Sequence, residues 1–129
     1  SFTTQLNKIN TVSFPLGNGA GVPEPGDMAL DRVVNFNFSG SLRPDAAKII
    51  IYITDALPSG DDDDYTALDV AKINDMKVDC NNNSVRVLLM KSSSASLGAF
   101  DTLATGTDGL ISPSFSPEVI VEAIQNICI

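Results

Sequence analysis

The sequence predicts an α/β fold, a parallel sheet layered between helices, in one domain spanning residues 1–129. Apolar runs of strand length alternate along the chain with stretches of helical periodicity, the order that βαβ units produce. The run Lys48-Ile-Ile-Ile-Tyr-Ile-Thr54 is apolar without alternation, which reads as a strand buried on both faces. It stops at Asp55 and a Pro58-Ser-Gly60 turn. A chain of 129 residues with 43% hydrophobic and 19% charged content can fill one packed core and does not have the composition of a disordered segment.

Taken in order, Phe2, Leu6 and Ile9 fall at helical spacing, so residues 2–9 read as the last turns of a helix. Residues 17–26 form a Gly- and Pro-rich loop. A helix follows from Asp27, with Leu30, Val33 and Val34 on one face, and residues 35–44 connect it to the strand at 48–54. Asp61 to Asp64 is a polar loop or a helix start, where acidic residues suit the helix dipole. Leu68, Ala71, Ile73 and Met76 mark an amphipathic helix to about Val78, and Cys80 to Asn83 a turn. Ser84 to Met90 is a second buried strand and Ser96 to Leu103 a short helix. Residues 106–109 make a turn, and Leu110-Ile111 begins a third strand. Ser116 is a suitable N-cap with Pro117 at the first helical position. The stripe Val119, Ile120, Ala123, Ile124 and Ile127 then defines a last helix. Right-handed crossovers place helices on both faces, a Rossmann-like three-layer α/β/α arrangement.

Charge and residue content exclude several functions. The net charge of −8 and pI near 4.1 oppose binding to nucleic acid or to anionic membranes. No apolar run reaches the roughly 18 residues of a membrane span. Ser1-Phe2-Thr3-Thr4 lacks the basic start and apolar core of a signal peptide. Because the chain begins at Ser1 rather than Met, it is expected to be processed or a fragment. The absence of histidine removes the commonest general base, the Ser-His-Asp and Cys-His arrangements and the usual zinc sites. With no Gly-x-Ser-x-Gly elbow either, the chain reads as non-enzymatic. Cys80 and Cys128 leave three states open: paired, buried or reactive. The tripeptides at Asn37 and Asn82 match glycosylation sequons.

In open α/β sheets ligands bind beyond the carboxyl ends of the strands, which makes Asp55 the leading candidate site residue. It is either a cation ligand or a strand-end carboxylate capping nearby N–H groups. Asp61 to Asp64 lacks the alternating spacing that wraps one Ca²⁺, so a solvated acidic turn is the reading. Residues 17–26 lack the Gly-Lys-[Ser/Thr] ending of a phosphate cradle. Ser92-Ser-Ser94 reads as a solvated strand-to-helix loop, and Tyr52 as core.

Ile51-Tyr-Ile-Thr-Asp-Ala-Leu-Pro-Ser-Gly60 resembles the fourth strand and following loop of von Willebrand factor A domains. Pro23-Glu-Pro-Gly-Asp-Met-Ala-Leu-Asp31 resembles the loop and helix upstream of it, Leu42 to Lys48 the connecting segment, and Phe100 to Ile129 the closing helix–strand–helix. The chain is thereby similar to the C-terminal two-thirds of the family pattern. The resemblance implies an extracellular or cell-surface adhesion or assembly module. It also implies a Mg²⁺ or Ca²⁺ ion at the top of the sheet, completed by a partner carboxylate. Onto this chain the ligand pattern carries Asp55, with Thr54 beside it, and Glu24 as the one oxygen donor among residues 19–24. The binding loops would include Gly21, Pro23, Ser59 and Asp61.

The family's Asp-x-Ser-x-Ser loop occurs nowhere in the chain, and the helix and two strands after it lack counterparts, so the cation site is degenerate and the domain incomplete at its N-terminus. The missing first strand would pair with residues 48–54, so a segment of a longer polypeptide or a neighbouring subunit is expected to complete that edge. Two other readings stand beside this one. A receiver-like phosphoacceptor would use Asp55 before Leu57-Pro-Ser-Gly60, although the paired acids of receivers and their Lys-Pro step are missing. A structural subunit of an extracellular filament would polymerise through the exposed edge.

Overall fold

The computed structural model describes residues 25–36, 43–62 and 64–127. Their order is α1 (Gly26–Phe36), β1 (Lys48–Ile53), α2 (Ala67–Asn82), β2 (Val85–Met90), α3 (Ala99–Gly106), β3 (Ile111–Ser112) and α4 (Pro117–Ile127). The fold is α/β, with a three-stranded parallel sheet in the order β1-β2-β3 and four helices among the described residues. The expected helix at residues 2–9 lies outside them, as do Cys128 and Asn37.

β2 is the central strand, paired with β1 from Lys48↔Val85 to Ile53↔Met90 and with β3 at Leu89↔Ile111. Its side chains are buried on both faces apart from Arg86. On one face Val85, Val87 and Leu89 pack with Leu30 of α1, Ile73, Met76 and Cys80 of α2, and Phe100 and Leu103 of α3. On the other, Leu88 and Met90 meet Ala123 of α4, with Ile120 beside it. The layers are therefore uneven, three helices against one. A sheet that advances in one direction with crossovers of one hand places its connecting helices on the same side.

Several expectations are corrected. β1 is not buried on both faces: Ile51 and Ile53 are 40% and 57% exposed. α4 reaches across β2 and leaves that side of β1 uncovered. α2 starts at Ala67, because a capping box fixes it there. Asp69 accepts from the Thr66 N–H (2.7 Å), and the Thr66 hydroxyl receives the Leu68 N–H (3.2 Å). Leu68 and Ala71 consequently face solvent, while Ile73 and Met76 are buried. The same helix runs on through Cys80 to Asn82 rather than ending at Val78, because Met76 and Cys80 continue its buried stripe. α3 begins three residues later than expected, after the positive-φ residue Gly98. Val33 on α1 and Ile124 on α4 are largely exposed, so each apolar stripe is narrower than its sequence pattern. Cys80 is a free, buried thiol.

Candidate functional site

β1 ends where backbone and side chain both turn. The Thr54 N–H makes a last sheet bond to the Met90 carbonyl (3.1 Å), and its hydroxyl then accepts the Ala56 N–H (3.2 Å). This local turn leaves Asp55 between them, exposed at the carboxyl edge of the sheet. Beyond it the chain dips inward. Ala56, Pro58 and Ser59 are buried, and Gly60 turns in the left-handed region at φ +65°.

The turn is anchored from α1. The Asp27 carboxylate is fully buried, and its Oδ1 accepts the Gly60 N–H (3.1 Å) across 33 residues. Among the described residues its Oδ2 has no hydrogen-bond partner. Asp27 thus fastens the β1–α2 loop to the N-terminus of α1, where the helix dipole favours a negative charge. Further along, the Tyr65 hydroxyl accepts the Ala99 N–H at the start of α3 (3.0 Å). Asp55 therefore projects from a loop held at both ends.

The β2 end is closed by an ion pair. Lys91 follows Met90 directly and is buried. Its Nζ donates to the Ala95 carbonyl (2.7 Å) and lies 3.0 Å from Asp101 Oδ1, while Asp101 Oδ2 accepts the Leu97 N–H (3.2 Å). Every group in this network has a partner, which makes a buried ammonium tolerable. It draws the Ser92–Ala95 loop over the strand end, with its serines in solvent.

The sequence-derived candidates therefore separate. Asp55 and Asp61 are exposed, Thr54 is half-buried in its turn, and Ser59 is buried. Ser59 is thus not a contact residue, since the inward dip of the loop turns it into the core. Gly21, Pro23 and Glu24 lie outside the described residues. Among the described residues no group of three or more His, Cys, Asp or Glu side chains is placed to hold a metal ion. Asp55 alone does not meet the oxygen demand of Mg²⁺ or Ca²⁺. No helix among the described residues is long and apolar enough to cross a membrane.

The sequence reading did not single out Asp27, Lys91 or Asp101. No sequence signal distinguishes Lys91, which is buried after β2, from Asp55, which is exposed after β1; only the loop that brings Ala95 and Asp101 to the ammonium decides.

Next to Asp55, the α4-side face of β1 carries Ile49, Ile51 and Ile53. Their register partners on β2 are Arg86, Leu88 and Met90. Leu88 and Met90 are buried under α4; Ile51 and Ile53 are not. An exposed apolar strip thus runs along β1 to the acidic top of the sheet. No family model, curated protein or solved structure matches this chain.

Proposed function

We propose that this chain is a non-enzymatic protein-binding module of the von Willebrand factor A type, serving adhesion or surface assembly. Its partner is held at the top of the sheet around Asp55 and along the adjoining open face of β1. The observation that carries this reading is the exposure of Ile51 and Ile53 beside the buried Leu88 and Met90. Leaving two isoleucines half in water forgoes roughly 1 kcal/mol each. A partner that covers them recovers that energy, and contiguous apolar surface of this kind marks contact sites.

The pinned loop supports the same reading. A carboxylate presented on a rigid turn loses little entropy when a basic or hydrogen-bond-donating group of the partner meets it. No cation step is included, because the described residues supply Asp55 but not the remaining ligands. A cell-surface or extracellular location belongs to this proposal. The exposed sequon residue Asn82, at the end of α2 and far along the helix from Asp55, is compatible with glycosylation there.

The test is a photo-crosslinking amino acid placed at Ile53, with a control at Leu68, which is 80% exposed on α2. In extracts of the source cells, the Ile53 probe should yield a defined protein adduct that Asp55→Lys abolishes. Adducts equal in number and kind from both positions, or none from Ile53, would remove the basis for the proposal.

A further inference from the structure

The uncovered face of β1 has a wall beside it. β1, β2 and β3 lie in chain order with α2 and α3 packed on one face, the arrangement that right-handed crossovers give. α4 returns from the carboxyl end of β3 over β2 on the opposite face, so it runs antiparallel to the strands. The hand of the crossovers and the hand of the helix together fix which side of α4 looks toward β1. Ala123 faces the sheet and is fully buried. The residue after it is turned by about 100° toward β1. Ile124 therefore lies on the β1 side, and Ile120, three residues before Ala123, falls on that side too. Glu118 and Glu122 fall on the other side, toward β3. Ile120 packs against the Leu88–Met90 cluster, yet Ile124 is 41% exposed.

An apolar trough results, with Ile51 and Ile53 as its floor and the Ile120–Ile124 side of α4 as its wall. Its ends carry opposite charges. Asp55 stands at the carboxyl end of β1. Arg86, the register partner of Ile49, lies half-buried at the other end of the same face. Among the described residues neither takes part in an ion pair.

We propose that this trough receives an amphipathic helix of a partner protein, antiparallel to β1, with its N-terminus at Asp55 and its C-terminus at Arg86. The inference names the partner element for the binding reading above and rests on it.

The shape and charge of the trough select a helix. A sheet face offers side chains and no backbone groups, so an extended segment laid on it leaves its own N–H and C=O groups unpaired. A helix pairs its own. From Ile49 to Ile53 the floor runs about 13 Å, a length that two to three turns of helix span. Apolar residues at i, i+3, i+4 and i+7 then meet both floor and wall. The charges fit only one direction. Asp55 meets the free N–H groups and the positive end of the helix dipole, and Arg86 meets the last carbonyls and the negative end. A second copy of this chain is the poorer occupant, since its net charge of −8 brings like charge to Asp55.

The test is NMR on the full chain with labelled isoleucine methyls and a synthetic peptide of about a dozen residues. The peptide is held helical by a staple on its polar side and carries leucines at i, i+3 and i+7. A control peptide has the same composition, with alternating leucines and no staple. The helical peptide should shift the Ile51, Ile53 and Ile124 methyls and leave Ile73, buried on the other face, unmoved. A spin label on the peptide's N-terminus should broaden Ile53 more than Ile49, and one on its C-terminus should do the reverse. Asp55→Lys and Arg86→Glu should each weaken binding roughly three- to tenfold. The spin-label pattern on the unmutated chain decides even where a variant is unstable. The opposite spin-label pattern, equal binding by the alternating peptide, shifts that follow the concentration of the chain itself, or no binding of the helical peptide would each overturn the inference. The binding reading is judged apart from it. An Ile53 crosslink to a partner that persists while the helical peptide is not bound leaves that reading standing and removes the helix.

Discussion

Ile53 and Met90 are register partners on adjacent strands and point to the same face, yet Ile53 is 57% exposed and Met90 1%. The difference is the reach of α4, which covers one strand and not its neighbour. Met90→Ala should therefore cost about 2–5 kcal/mol, as for other large-to-small core changes. Ile53→Thr should shift stability by less than about 1 kcal/mol. Urea unfolding of the two variants gives the comparison directly, and similar losses would mean that Ile53 is covered in solution.

Lys91 and Asp101 hold the β2 end as a unit. Lys91→Ala or Asp101→Ala should each destabilise by about 2–3 kcal/mol, since each leaves a largely buried charged partner without its counterpart. The double replacement Lys91→Met with Asp101→Leu should cost less than the sum of the single changes. Additive losses in a double-mutant cycle would argue that the two residues act independently.

Asp27 should tolerate amidation better than truncation. Asp27→Asn keeps an oxygen for the Gly60 N–H and removes a buried charge, so its stability should stay within about 1 kcal/mol of the parent. Asp27→Ala leaves the Gly60 N–H without its acceptor and should cost about 1–3 kcal/mol. Thermal unfolding of both variants at neutral pH separates them, and an Asn variant as unstable as the Ala variant would show that the charge itself is required.

Burial, with a smaller contribution from the neighbouring Asp79 carboxylate, pushes the Cys80 thiol from 9.0 up to about 11. Because the folded-state value is the higher one, the stabilisation is fully present below pH 9 and is lost as pH rises toward 11. Stability should fall across that window, and Cys80→Ser should flatten this part of the profile. In the native state Cys80 should react with a thiol reagent only when the chain opens. Rapid labelling under native conditions would contradict its burial.

The parallel α/β layout was readable in the sequence because uninterrupted apolar runs and capped helices report directly on strand and helix. The ends of elements were less readable. The four acidic residues at 61–64 left loop and helix start open, and it is the capping-box spacing of Thr66 and Asp69 that places the start of α2. The uneven cover of β1 was not legible at all. Ile-Ile-Ile-Tyr-Ile looks the same whether one face or both are packed, and only the position of α4 decides. Asp55 at a strand end was legible from its surroundings. The buried anchoring by Asp27 was not, since an acid at a helix start usually faces solvent.

The most direct test of the account is the solvent exposure of the isoleucine methyl groups in the free chain, measured by NMR with a soluble paramagnetic agent. The Ile51 and Ile53 methyls should broaden as surface groups do, while the Met90 methyl is spared. If Ile51 and Ile53 are shielded as fully as Met90, β1 has no open face and the proposed contact surface does not exist.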